Sequence, residues 1–132
     1  TGGTSKGQIV RATLESVAYQ VKDNLDVMIK DSGIDIQYMR VDGGMVANKF
    51  LMQFQADILG IPVDVPEITE TTALGAAYMA ALGTGVYKSL DELKSKWKLS
   101  CRFEPKMSDD RRQKLLHDWH RAVERSKAWE EQ

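Results

Sequence analysis

A stripe of Ile9, Thr13, Val17, Val21, Leu25 and Met28 runs through residues 5–31 at steps of three and four, and Val10, Leu14 and Ala18 widen it. That period predicts a long amphipathic helix. Ser5 and Gln8 have the spacing of a capping box at its start. Ser32-Gly33 is a stop signal, because glycine takes the left-handed cap conformation without a Cβ clash. Residues 34–41 alternate imperfectly, through Ile36, Met39 and Val41, and predict a strand ended by Asp42-Gly43-Gly44. Phe50, Leu51, Phe54 and Ile58 predict a second helix over 48–59, closed by Gly60. Residues 61–66 predict a short strand between prolines, with Pro62 near its start, where a missing N–H is tolerable.

An alanine-rich third helix is predicted over 71–82, then a short polar helix or turn over 90–97 and a strand over 99–103. A last helix over 109–130 follows Pro105 and Ser108, with Leu115, Leu116, Trp119, Val123 and Trp129 as its stripe. Strands separated by helices predict parallel pairing through right-handed crossovers. So short a sheet leads to the expectation that part of the fold lies upstream of Thr1.

Composition sharpens this picture. With 132 residues, 42% hydrophobic and 28% charged, the chain has the size and make-up of one globular domain. A compact protein of this mass exposes roughly 7,000 Å². No apolar run approaches the ~20 residues that span a bilayer, so no membrane partner is expected. The net charge of -1 argues against a nucleic-acid binder. Residues 88–127 hold twelve Lys/Arg against seven Asp/Glu, which reads as a solvated helix face. The single cysteine, Cys101, excludes an intrachain disulfide and suits a reducing compartment.

Candidate chemistry is sparse. Gly3-Thr4-Ser5-Lys6-Gly7 matches the G-x-S-x-G pattern of hydrolases, but no strand precedes it and Ser5 is placed as a helix cap. His117 and His120 lack the glutamate and third ligand of a zinc site and read as solvated surface residues. The informative segment is Arg40-Val41-Asp42-Gly43-Gly44-Met45-Val46-Ala47-Asn48. Two adjacent residues without a Cβ let a ligand lie on the backbone. The helix that follows points its N–H groups and positive dipole end at the same spot. Asn48 can cap that helix and offer an amide to a purine or ribose. The alternative is a tight strand-to-helix turn that binds nothing.

Arg40 through Gly60, RVDGGMVANKFLMQFQADILG, resembles the glycerol kinases of the FGGY carbohydrate kinase family. So do the next residues, IPVDVPEITETTALGAAYMAALGTG, and the tail with Phe103-Glu104-Pro105 and Trp119, Ala122, Val123, Ala128 and Trp129. Gln8-Ile9-Val10-Arg11-Ala12-Thr13-Leu14-Glu15 is similar to the closing half of a second family signature. Met45 and Asn48 depart from the pattern of the xylulokinase branch.

The resemblance implies an α/β fold: residues 1–132 as the C-terminal portion of the second actin-like (ribonuclease H-like) ATPase domain, helix-rich, with a short partial sheet. It implies ATP and Mg²⁺ as cofactors, transfer of the ATP γ-phosphoryl group to glycerol, a cytoplasmic location and a homo-oligomer. Gly43, Gly44 and Asn48 are the implied nucleotide-binding residues. No catalytic or metal-binding residue is implied here: the magnesium ligands and the glycerol contacts are expected outside this chain, which alone is expected to be inactive. The run Ala73, Gly75, Ala76, Ala77 is similar to a helix crossing at the hinge between the two family domains; a tightly packed alanine helix is the alternative. Another FGGY sugar kinase, or a non-catalytic domain of the same fold, are the competing readings.

Overall fold

The computed structural model describes residues 2–128. The chain runs α1 (Lys6–Ser32), β1 (Met39–Arg40), a 3₁₀ turn (Gly44–Ala47), α2 (Lys49–Leu59), β2 (Val63–Pro66), α3 (Thr71–Gly83), α4 (Leu90–Lys94), β3 (Leu99–Phe103) and α5 (Asp109–Ser126). The expected helix-rich α/β architecture is present. Trp129, expected on the last helix, lies outside the described residues.

The caps of α1 match the sequence. Gln8 N–H donates to Ser5 Oγ (3.3 Å), and Ser5 N–H donates to Gln8 Oε1 (2.7 Å). Gly33 closes the helix at φ 67°. The buried stripe is the central part of the expected one, with Tyr19 and Ile29 added. Ala18, Tyr19 and Leu25 are buried, with Leu14, Val17, Val21 and Ile29 packed beside them. Ile9, Val10 and Met28, at the two ends of the expected stripe, are exposed.

α2 is the centre of the fold. Leu51, Ile58 and Val63 of the following strand are essentially inaccessible. Tyr19 stacks on Trp119 at 5.2 Å and meets Phe54 edge-on at 5.6 Å, joining α1, α2 and α5. Asp57 fixes the approach to α5 by accepting from the backbone N–H groups of Lys106 (2.6 Å) and Met107 (3.2 Å). Arg112 Nε donates to the Asp57 carbonyl (2.6 Å), satisfying an acceptor that the helix end leaves open.

The three strands lie in the order β1-β2-β3. β1 and β2 are parallel, as expected for a crossover through α2. β3, a strand to which the crossover expectation did not extend, is antiparallel to β2. Two helices, α3 and α4, separate β2 from β3, and the second supplies one more chain reversal than a crossover unit has. The strand expected over 34–41 shrinks to Met39–Arg40. It sits at the sheet edge, bonded on one side by Met39 N–H to Pro62 O and Val41 N–H to Asp64 O.

Asp64 is a buried carboxylate at 3% exposure on the central strand. Arg102 on β3 holds both of its oxygens, at 2.6 and 2.8 Å. These hydrogen bonds hold the Asp64 carboxyl below the usual carboxylate range and raise Arg102. The chain exposes 9666 Å², well above the compact expectation of roughly 7,000 Å². α3 buries none of its residues. No helix among the described residues is long and apolar enough to cross a membrane.

Candidate functional site

The Gly43-Gly44 turn joins the sheet edge to α2. Gly43 has φ 82° and ψ 175°, a conformation open essentially to glycine alone. Gly44 has no such requirement. A Cβ built on either glycine would meet no atom within 4 Å. The two glycines therefore do different work: Gly43 makes the turn, and Gly44 leaves open surface. The 3₁₀ turn makes its first bond from Val46 N–H to Gly43 O. The N–H groups of Gly44 and Met45 precede that bond and are not consumed by the turn.

Asn48 caps α2 as expected, its Oδ1 accepting from Leu51 N–H at 3.1 Å. This orients the side chain and leaves its NH₂ group as the donor directed elsewhere. The α2 dipole adds positive potential at the same end. The site is thus a backbone-and-amide surface suited to an anionic, hydrogen-bond-accepting ligand. Gly43, Gly44 and Asn48 themselves carry no acid, base or nucleophile.

Sequence reasoning missed what holds the turn from the other side. Gly43 N–H donates to Thr69 O at 3.0 Å. Thr71 Oγ1 donates to the Asp42 carboxylate. The polar run Glu67-Ile68-Thr69-Glu70-Thr71-Thr72 between a strand and a helix was the available signal, since hydroxyl side chains there readily bond neighbouring backbone and carboxylates. Arg40, just before the turn, stacks over Trp97 at 3.9 Å.

Other candidates resolve differently. Ser5 is a cap and nothing more. His117 and His120 are exposed, as expected, and His120 Nε2 also lies 2.9 Å from Asp23 Oδ1. Asp23 also accepts from Trp119 Nε1 at 2.7 Å, so this pair clamps α5 on α1. Among the described residues no group of three or more His, Cys, Asp or Glu could hold a metal ion. A Cβ on Gly75 would meet no atom within 4 Å, so the small residues of α3 do not pack tightly within this chain.

The chain has counterparts among known proteins in both sequence and fold. Residues 1–84 match the C-terminal domain of the FGGY family of carbohydrate kinases. The chain belongs to the FGGY family. Glycerol kinase of Nitratidesulfovibrio vulgaris (strain DP4) is 59% identical over 131 residues, 99% of this chain and 26% of that protein. Glycerol kinase of Caldanaerobacter subterraneus subsp. tengcongensis is 54% identical over the full chain and 27% of that protein. This chain therefore spans about a quarter of the curated relatives it matches. The crystal structure of Plasmodium falciparum glycerol kinase with ADP superposes with a TM-score of 0.82 at 39% identity, covering 98% of this chain and 26% of that one. The ligand-bound xylulose kinase of Lactobacillus acidophilus matches at TM-score 0.79 and 20% identity, a likeness of fold.

Proposed function

We propose that this chain is the nucleotide-side, C-terminal portion of the second actin-like domain of a glycerol kinase, an enzyme that transfers the γ-phosphoryl group of ATP to glycerol. The observation that carries this reading is 54–59% identity to curated glycerol kinases along essentially the whole chain. The ADP named for the Plasmodium structure supports nucleotide use by the same fold. Gly43, Gly44 and Asn48 bind the nucleotide: Gly43 sets the turn, Gly44 lets the ligand approach the main chain, and the Asn48 NH₂ donates to it.

In phosphoryl transfer the protein mainly positions reactants and stabilises charge. This chain's share is positioning, by the backbone donors of the turn and the dipole of α2. Among the described residues no group of three or more His, Cys, Asp or Glu could hold a metal ion, and in this proposal the magnesium ligands lie outside this chain. Glycerol contacts and the group that accepts the hydroxyl proton lie outside this chain in our reading. The parent enzyme is a cytoplasmic homo-oligomer; the lone Cys101 is in keeping with a reducing compartment.

The test is a coupled ADP-release assay on the longer protein that contains these residues, with glycerol, xylulose and gluconate as acceptors. Glycerol-dependent turnover is expected, with the 132-residue chain alone at background. Turnover on xylulose or gluconate without glycerol activity assigns another branch of the family. No turnover on any acceptor favours a non-catalytic domain.

A further inference from the structure

A cavity of about 380 Å³ lies between α3, α4 and the end of β2, within the usual volume range of small-molecule sites. It is separate from the exposed faces of Gly44 and Asn48, none of which lines it. Its walls are Leu74 and Tyr78, one turn apart on α3, with the buried Leu93 and half-buried Trp97 opposite. Leu74 and Tyr78 occupy a different side of α3 from Ala73, Ala76, Ala77 and Ala80, as helical spacing requires. The cavity wall therefore owes nothing to the small-residue stripe.

The rim carries a net positive charge. Arg40, Lys96 and Lys98 stand against Glu67, a net of two positive charges, while Lys94 is already paired with Asp91 at 2.8 Å. The Arg40 guanidinium carbon lies 3.9 Å from the centre of the Trp97 ring, so one aromatic wall and one cation are held together at the mouth. An apolar slot with an aromatic wall takes an aromatic body, and two uncompensated cations at its mouth take a doubly charged anion.

We propose that this cavity binds a small aromatic phosphate monoester, with the ring between Tyr78 and Trp97 and the phosphate at Lys96, Lys98 and Arg40. Thr71 both lines the cavity and donates to Asp42. A ligand there touches the segment that supports Gly43 from behind, so its occupancy is felt at the glycine turn.

The test is a titration of the ¹⁵N-labelled 132-residue chain with 1-naphthyl phosphate, 1-naphthol and inorganic phosphate, followed by amide and Trp97 indole shifts. Saturable shifts at Leu74, Tyr78, Trp97 and Lys98 are expected with 1-naphthyl phosphate at millimolar concentration, extending to Gly43. The double variant Lys96→Glu, Lys98→Glu, both exposed and outside the core, keeps its thermal midpoint and weakens this binding about tenfold or more. Equal binding of 1-naphthol overturns the charge recognition, and equal binding of inorganic phosphate overturns the aromatic slot. Absence of saturable shifts, or unchanged affinity in the double variant, overturns the site altogether.

Discussion

Helices α2 and α3 are both short and apolar, yet α2 buries seven of its eleven residues while α3 buries none of its thirteen. The difference lies in side-chain size. Leu51, Met52, Phe54, Ile58 and Leu59 give α2 large surfaces that α1, α5 and the sheet cover, each such burial contributing roughly 1.5–3 kcal/mol. α3 offers mostly alanine, glycine and threonine, whose burial contributes little and whose exposure costs little. One helix holds the chain together; the other presents a smooth surface that the described chain leaves open. The glycine turn stands between them. Asn48 ties it to the packed helix, and Thr69 and Thr71 tie it to the start of the open one. A turn so placed has a firm base on one side and a looser support on the other.

The contrast is broken most strongly from the α2 side. Leu51→Ala removes a side chain at 1% exposure, and a loss of about 2–5 kcal/mol is expected in urea unfolding. A loss below about 1 kcal/mol would mean that α2 is not the centre of the core. Next comes Arg102→Ala, which leaves Asp64 buried without its partner; the expected cost is about 1–3 kcal/mol at neutral pH. The direction with pH follows from the lowered Asp64 carboxyl. A carboxyl whose folded value lies below its unfolded one stabilises fully above the ordinary carboxylate range. That stability is lost as pH falls through the folded value. Wild type should therefore lose this contribution on going below about pH 4, and Arg102→Ala should show a shallower acid dependence there. Parallel acid limbs in the two proteins would contradict the assignment.

Trp119→Phe keeps most of the ring against Tyr19 but removes the donor to Asp23. A loss of about 1 kcal/mol is expected; no loss would show that the α5 clamp is packing alone. The smallest effect is predicted on α3. Ala77→Leu adds volume where the described chain places no tight neighbour, and stability should change by less than about 0.5 kcal/mol. A large loss would show that α3 is packed after all, and would erase the contrast with α2.

Much of this architecture was legible in the residues. Ser5, Gln8, Gly33, Asn48 and Gly60 mark helix ends through local chemistry, and the structure uses each of them so. The reversal of β3 was not legible, because strand direction depends on how α3 and α4 turn the chain rather than on any residue in Leu99–Phe103. The stripe of α1 was read in the right phase but too long: helical period shows that a face exists, and neighbouring elements decide how much of the helix is covered. At the site, Gly43-Gly44 and Asn48 stood out as types. Their division of labour did not, since φ at Gly43 and open space at Gly44 are properties of the folded backbone. The supports from Thr69 and Thr71 are contacts across 26 and 29 residues, which no local pattern encodes.

The central claim is that the Gly43-Gly44 turn receives the nucleotide, and Gly44→Val in the longer, catalytically competent protein tests it most directly. Gly44 lies in open space without a positive φ, so the thermal midpoint should be unchanged. The added methyl groups occupy the surface that the ligand needs, so KM for ATP should rise about tenfold or more, equivalent to about 1.4 kcal/mol, with KM for glycerol little altered. An unchanged KM for ATP in a normally folded variant would show that the nucleotide does not lie on this turn.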